Sequence, residues 1–213
     1  MSTKYSLLFL LLFICALRIP ISAAEEMKSE ASPRPPHKEA LEEYQKGRDL
    51  YREGKLEDAA SCYLKAISLD PGFDYAYGSL GYIRYEQGNY QEAEKIYLKA
   101  LELAPSDSFY HGELALVYHA LGKKDKAYQE CAKALELEPA NYLFHYNLGM
   151  MQSLDGKKDD ARASFEKALT LCKERKARKM IEEKLGGLKL RSLKAPGHWG
   201  LRIPGASSPC RAS

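Results

Sequence analysis

The sequence predicts an all-α solenoid in which four helix hairpins stack in a row and one further helix closes the end. Three observations carry that prediction. The phrases "YLKAISLDP", "YLKALELAP" and "CAKALELEP" end at Pro71, Pro105 and Pro139, each 34 residues from the next. In the same phase small residues recur in columns: Gly47, Gly81, Ala115 and Gly149, then Gly54, Gly88, Gly122 and Gly156. Two alanine columns follow, Ala59, Ala93, Ala127 and Ala161, and Ala66, Ala100, Ala134 and Ala168. Within each period two segments carry apolar residues at helical spacing, parted by a glycine. A single such hairpin cannot bury its apolar face, so a fixed period of this length points to stacked units sharing one continuous core.

The chain begins with "MSTKYSLLFLLLFICALRIPISAA", which reads as a signal peptide over residues 1–24: Lys4, an apolar run from Leu7 to Leu17, and small residues at Ser22 and Ala24. The run is too short to span about 30 Å of hydrocarbon, and Arg18 interrupts it. An uncleaved anchor is the alternative. A lipidated Cys15 is disfavoured because the bulky Ile14 precedes it. The expected destination is export, to the periplasm, with secretion or membrane anchoring as alternatives. Residues 25–39, including "EEMKSEASPRPPHK", are charged, bear prolines and lack apolar period, as a disordered spacer would.

Four units follow at 40–73, 74–107, 108–141 and 142–175. In the second, Tyr77, Leu80, Gly81 and Arg84 mark a first helix, and Ala93, Tyr97 and Ala100 a second. Gly88 is expected to turn the chain between them, and Pro105 to stop the second helix. Leu80, Tyr97 and Leu103 are expected to fill the space that the small residues leave. The fourth unit has Lys173 where the others close with proline, so its second helix is expected to run on through "KERKARKMIEEKL". Met180, Ile181 and Leu185 would then seal the stack in a capping helix over 176–190. Residues 191–213 form a basic flexible tail with the lone Trp199.

Charge divides along the chain. The 213 residues carry a formal +3, and loss of the leader removes Lys4 and Arg18 and no acid. From Lys173 onward eleven Lys and Arg face three Glu, so the repeats are mildly acidic and the end is basic. An acidic array argues against nucleic acid as a partner. Beyond the leader stand Cys62, Cys131, Cys172 and Cys210. Cys62 and Cys131 fall on helices two repeats apart, beyond the roughly 7 Å that a disulfide spans, which leaves Cys172 with Cys210 as the candidate pair.

The columns, with an aromatic, "LG", a tyrosine and the closing proline, resemble the tetratricopeptide repeat pattern. The resemblance covers residues 40 to about 175 and is near complete in "DYAYGSLGYIRYEQGNYQEAEKIYLKALELAPSD". It implies a right-handed superhelical solenoid of four such hairpins, whose first helices line a concave surface, and a non-enzymatic protein-binding role without cofactor. Glu43 departs from the pattern at an aromatic position of the first unit, where no repeat precedes to cover it.

No "HExxH", "GxxxxGK[ST]" or "GxSxG" motif occurs, and no Cys and His stand at metal spacing. His111 and His145 share a position that the pattern gives to an aromatic, which reads as core packing. Each first helix instead carries a second stripe, offset from the one that packs. By resemblance this stripe lines a groove, with candidate contacts Tyr44, Arg48, Tyr51, Tyr75, Tyr82, Tyr85, Phe109, Leu116, His119, Tyr146 and Met150. Gly78 and Gly112 are expected to leave room at its centre. Tyr75 and Tyr85 have packing between repeats as an equal alternative. Tyrosine suits recognition because it offers contact area, a polar hydroxyl and little rotamer entropy to lose, so the expected partner is a peptide or protein segment.

The family's clamp for acidic chaperone C-termini needs Lys, Asn and Arg where this chain has Tyr44, Arg48, Ser79, Phe109 and Glu113, so that use is rejected. Two other readings remain. The basic segment from Lys173 to Arg211 would make a weak contact with anionic polymer or lipid headgroups, or the array would associate with itself. The oligomeric state is left open.

Overall fold

The computed structural model describes residues 36–190, and those residues form helices and turns only. Four hairpins follow one another: α1 (Lys38–Arg52) with α2 (Leu56–Leu69), α3 (Asp74–Glu86) with α4 (Tyr90–Leu103), α5 (Ser108–Ala120) with α6 (Lys124–Leu137), and α7 (Tyr142–Leu154) with α8 (Lys158–Leu171). A ninth helix, α9 (Arg175–Leu190), closes the row. Each second helix packs on its own first helix and on the first helix of the next repeat, and α3, α5 and α7 also touch along the row. The first helices therefore lie closer to one another than the second helices do, and form the inner row of the stack. The leader, most of the spacer and the tail with Trp199 and Cys210 lie outside the described residues.

The helix starts fall where the period puts them. Asp107 accepts hydrogen bonds from the Phe109 and Tyr110 amides ahead of α5, and Asn141 accepts from the Leu143 amide ahead of α7. Between the helices of each hairpin Gly54, Gly88, Gly122 and Gly156 take φ of +80°, +77°, +74° and +79°. That left-handed conformation is costly for any residue with a Cβ, which explains this glycine column. The other column has a different cause. A Cβ on Gly47 would stand 2.6 Å from the Tyr63 ring, on Gly81 3.0 Å from Tyr97, and on Gly149 2.8 Å from Phe165. In the third repeat, where Ala115 takes the glycine's place, the aromatic is replaced by the small Cys131. Both are buried, so volume removed on one helix is returned on its neighbour.

Leu80 and Tyr97 fill the core as expected, but Leu103 does not. It stands 37% exposed, with Leu69 and Leu137 at the same phase also on the outside, while Leu101 and Ala104 of the same turn are the residues that face the core.

The end of the stack also differs from expectation. The last helix of the repeats does not run on: α8 stops at Leu171, and Cys172 is extended with φ −75° and ψ 123°. Arg178 explains the break, because its guanidinium donates to the carbonyls of Leu169 at 2.6 Å and Cys172 at 2.9 Å. Those are carbonyls that a continuous helix would have paired internally, and a side chain from α9 now takes them. The cap itself follows the prediction: Ile181 is fully buried with Ala177, and Met180 and Leu185 pack partly buried against the cluster of Tyr146, Phe165 and Ala168. At the other end, Glu43 pairs with Lys65 on the face that no repeat covers.

Candidate binding groove

The eleven stripe residues divide into two groups. Tyr44, Leu116, Tyr146 and Met150 are buried, which corrects their expected place among exposed contacts, and Tyr85 is buried as its packing alternative has it. Tyr44 packs edge-on to Phe73 with ring centres 5.0 Å apart and accepts a hydrogen bond from the Ser79 hydroxyl at 3.4 Å. Tyr85 lies against Tyr90 at 5.5 Å, and Tyr146 against Phe165 at 5.6 Å. The Ser79 bond ties Tyr44 to the next repeat, whereas the Tyr85–Tyr90 and Tyr146–Phe165 pairs lie within their own repeats, and none of the three rings faces outward. Arg48, Tyr51, Tyr75, Tyr82, Phe109 and His119 remain partly exposed along the inner row.

Their partners show how the exposed group is held. The Arg48 guanidinium sits 6.0 Å from the Tyr44 ring centre. Tyr51 meets Tyr82 edge-on at 5.9 Å, Tyr75 meets Phe73 at 6.3 Å, and Phe109 meets Phe144 at 5.5 Å. His119 Nε2 lies 3.2 Å from the Asp155 carboxylate, which also accepts from the Tyr128 hydroxyl at 2.8 Å and pairs with Lys124 at 2.6 Å.

Gly78 and Gly112 leave no room for a ligand. A Cβ on Gly78 would come within 2.5 Å of Tyr110, and one on Gly112 within 2.7 Å of Phe144, so each glycine seats a ring from the next repeat. Tyr110 also donates its hydroxyl to Asp74 at 3.0 Å, tying α5 to α3. At the first junction the sizes are exchanged: Tyr44 is the large member and Ala76, two residues before Gly78, is the small one. His111 is buried as expected but is held by polar contacts, Nδ1 2.6 Å from Glu130 and Nε2 donating to the Pro105 carbonyl at 3.1 Å. His145 Nε2 donates likewise to the Pro139 carbonyl at 2.9 Å.

Sequence reasoning missed two carboxylates on this row. Glu86 stands one helical turn beyond Tyr82 and accepts from the Tyr82 hydroxyl at 3.2 Å and the Tyr51 hydroxyl at 3.4 Å. Glu113 stands out in the sequence only as a mismatch to an acidic-peptide clamp. As a residue it is partly exposed, but its carboxyl lies deep enough that burial, with the charge of Glu86 behind it, pushes its pKa up to about 7. The same burial raises the Tyr82 and Tyr85 hydroxyls, with the Glu113 charge contributing to both. The Tyr82-to-Glu86 spacing of four residues was legible as one helix face. The approach of Glu113 was not, since it needs the stagger of α5 against α3.

Among the described residues no three His, Cys, Asp or Glu come together as a metal site, and no helix is long and apolar enough to cross a membrane. Cys62, Cys131 and Cys172 are buried free thiols, and burial pushes that of Cys131 up to about 12. The partner expected for Cys172 is Cys210, outside the described residues.

Comparison with known proteins accords with this geometry. Two tetratricopeptide repeat models match, one over residues 44–108 and another over 96–129 and 130–163. No curated protein matched the chain. Among solved structures, a thermophilic TPR protein of Thermus thermophilus superposes with a TM-score of 0.64 at 21% identity, covering 71% of this chain and 81% of that one. MamA from Desulfovibrio magneticus RS-1 (41-end) gives 0.53 at 23% identity, over 68% of this chain and 76% of that one. The first TPR of Spaghetti, bound to an HSP90 peptide, gives 0.53 at 24% identity, over 55% and 94%. At these identities the likeness concerns fold alone, and the family rests on the repeat models together with the helix hairpins: the chain belongs to the tetratricopeptide repeat family.

Proposed function

We propose that the chain is a non-enzymatic adaptor or assembly factor of the cell envelope, exported by residues 1–24, that holds a segment of a partner protein along the inner row of first helices. A protein-interaction role in general is what the tetratricopeptide fold supports. The observation that carries the finer reading is the run of partly exposed Arg48, Tyr51, Tyr75, Tyr82, Phe109 and His119 on that one row. Buried aromatic neighbours brace several of these side chains, so a partner meets a surface with little left to order. The Spaghetti neighbour, which carries an HSP90 peptide, is a precedent for peptide binding on this fold.

The test has two parts. N-terminal sequencing of the protein recovered from cells should find Glu25 first if the leader is cleaved there. Capture from envelope extract should then retain a protein on the parent and lose it on a Tyr82→Ala, Phe109→Ala variant of unchanged thermal unfolding. Deleting residues 191–213 should leave capture intact. Equal retention by parent and double variant would sink the groove and favour the basic end of the chain.

A further inference from the structure

We propose that the inner row at α3 and α5 receives a cationic side chain, a lysine or arginine of the partner segment, between the carboxylates of Glu86 and Glu113 and the tyrosines around them. The proposal rests on the groove reading above and adds the chemistry of its occupant.

Two carboxylates approach each other here, and among the described residues neither is given a cation. Glu86 is held by the Tyr51 and Tyr82 hydroxyls, both neutral donors. Neither Glu86 nor Glu113 forms an ion pair among the described residues, although Arg84 on the same helix pairs with Glu57 and Glu92. The charge that acts on Glu113 is that of Glu86, and Glu113 in turn acts on Tyr82 and Tyr85 from α3 and Tyr97 from α4. Like charges that share a poorly hydrated site repel, and a guest cation is the group that relieves both.

A second observation, independent of the acids, points the same way. Tyr97 is 1% exposed, and its buried hydroxyl has no hydrogen-bond partner. The carboxylate that acts on it most strongly is Glu113. One repeat earlier, Tyr63 has the Ser79 hydroxyl beside it, which donates to Tyr44 Oη, and Ser79 occupies the position of Glu113 in the 34-residue period. The orphaned hydroxyl is a free acceptor for an incoming N–H donor: a guest ammonium or guanidinium donates to Tyr97 Oη while the charge of Glu113 answers its own. The faces of Tyr51 and Tyr82 favour the same guest through their ring quadrupoles. The raised pKa of Glu113 adds a signature, because the ionised form holds the cation and binding then tightens as pH rises through about 7.

The test pans a random peptide library displayed on phage against the full chain and against Glu113→Gln. The parent should enrich Lys or Arg at one fixed position, and the variant should still select peptides but without the basic preference. A selected peptide and its lysine-to-norleucine copy should differ about tenfold in affinity for the parent and little for the variant. The lysine peptide should also bind more tightly at pH 8 than at pH 6. Tyr97→Phe, which keeps the ring, should weaken the lysine peptide and spare the norleucine one. Peptides selected without basic enrichment, or with enrichment that survives Glu113→Gln, would overturn the cation site while leaving the groove. Failure to select any peptide would overturn the groove and the site together. Basic selection that appears only after residues 191–213 are removed would put the chain's own tail at the two carboxylates and overturn the partner.

Discussion

Glu113 links binding to stability, and the sign is fixed by its environment. A carboxyl that titrates near 4.5 in the unfolded chain and near 7 in the folded one makes the native state hold more protons across that window. Its contribution is therefore fully present below about pH 4.5 and lost as pH rises through about 7. Glu113→Gln should remove this dependence and leave the variant more stable than the parent at pH 8, by on the order of 1 kcal/mol given the partial exposure of the residue. Urea unfolding at pH 5 and pH 8 measures it, and a variant less stable than the parent at pH 8 would contradict the assignment. A second residue-scale prediction concerns the third repeat, where Ala115 and Cys131 replace glycine and an aromatic. Cys131→Tyr alone should overpack the hairpin and cost about 1–3 kcal/mol, while Ala115→Gly added to it should restore part of that loss. Simple additivity in thermal unfolding would show that the two positions do not share volume.

At the scale of elements, the punctuation of the sequence placed most boundaries. The 34-residue phase set the starts of α3, α5 and α7 at Asp74, Ser108 and Tyr142, and the glycines at φ near +77° set the hairpin turns. The break ahead of α9 was not legible in the same way, because no proline marks it. A side chain four residues into the next helix, Arg178, makes the break through hydrogen bonds that local sequence does not reveal. Arg178→Ala should leave the α8 carbonyls to water and cost about 1 kcal/mol. Amide hydrogen exchange should show the loss at the end of α8 and along α9, with the first three repeats unchanged.

For the whole molecule, the fold was written in columns that repeat, and the site in differences between repeats that do not. The tyrosine stripe was legible, yet five of its members turned out to be buried, because the burial of Tyr44 or Tyr146 depends on what the adjoining helix presents. Gly78 against Tyr110 and Gly112 against Phe144 read as empty space until position five of one repeat is set beside position three of the next. Stability at this scale depends on the closing helix, which covers Tyr146, Phe165 and Ala168 with Ala177 and Ile181. A chain ending at Leu171 should melt several degrees lower and self-associate, as an uncapped stack exposes that cluster. Light scattering and calorimetry would test this, and an unchanged monomer would deny α9 its sealing role.

The exchange of sizes between junctions has an effect on how copies of such an array avoid mistakes. The first junction sets a large Tyr44 over a small Ala76, and the next two set a small glycine under a large ring. A stack that slipped so that the first repeat lay on the third would bring Tyr44 and Tyr110 into the same volume. The place of the first repeat is thus proofread sterically during folding: although the units are alike enough to be mistaken for one another, this one misthreaded order, open to identical modules, is closed to this chain.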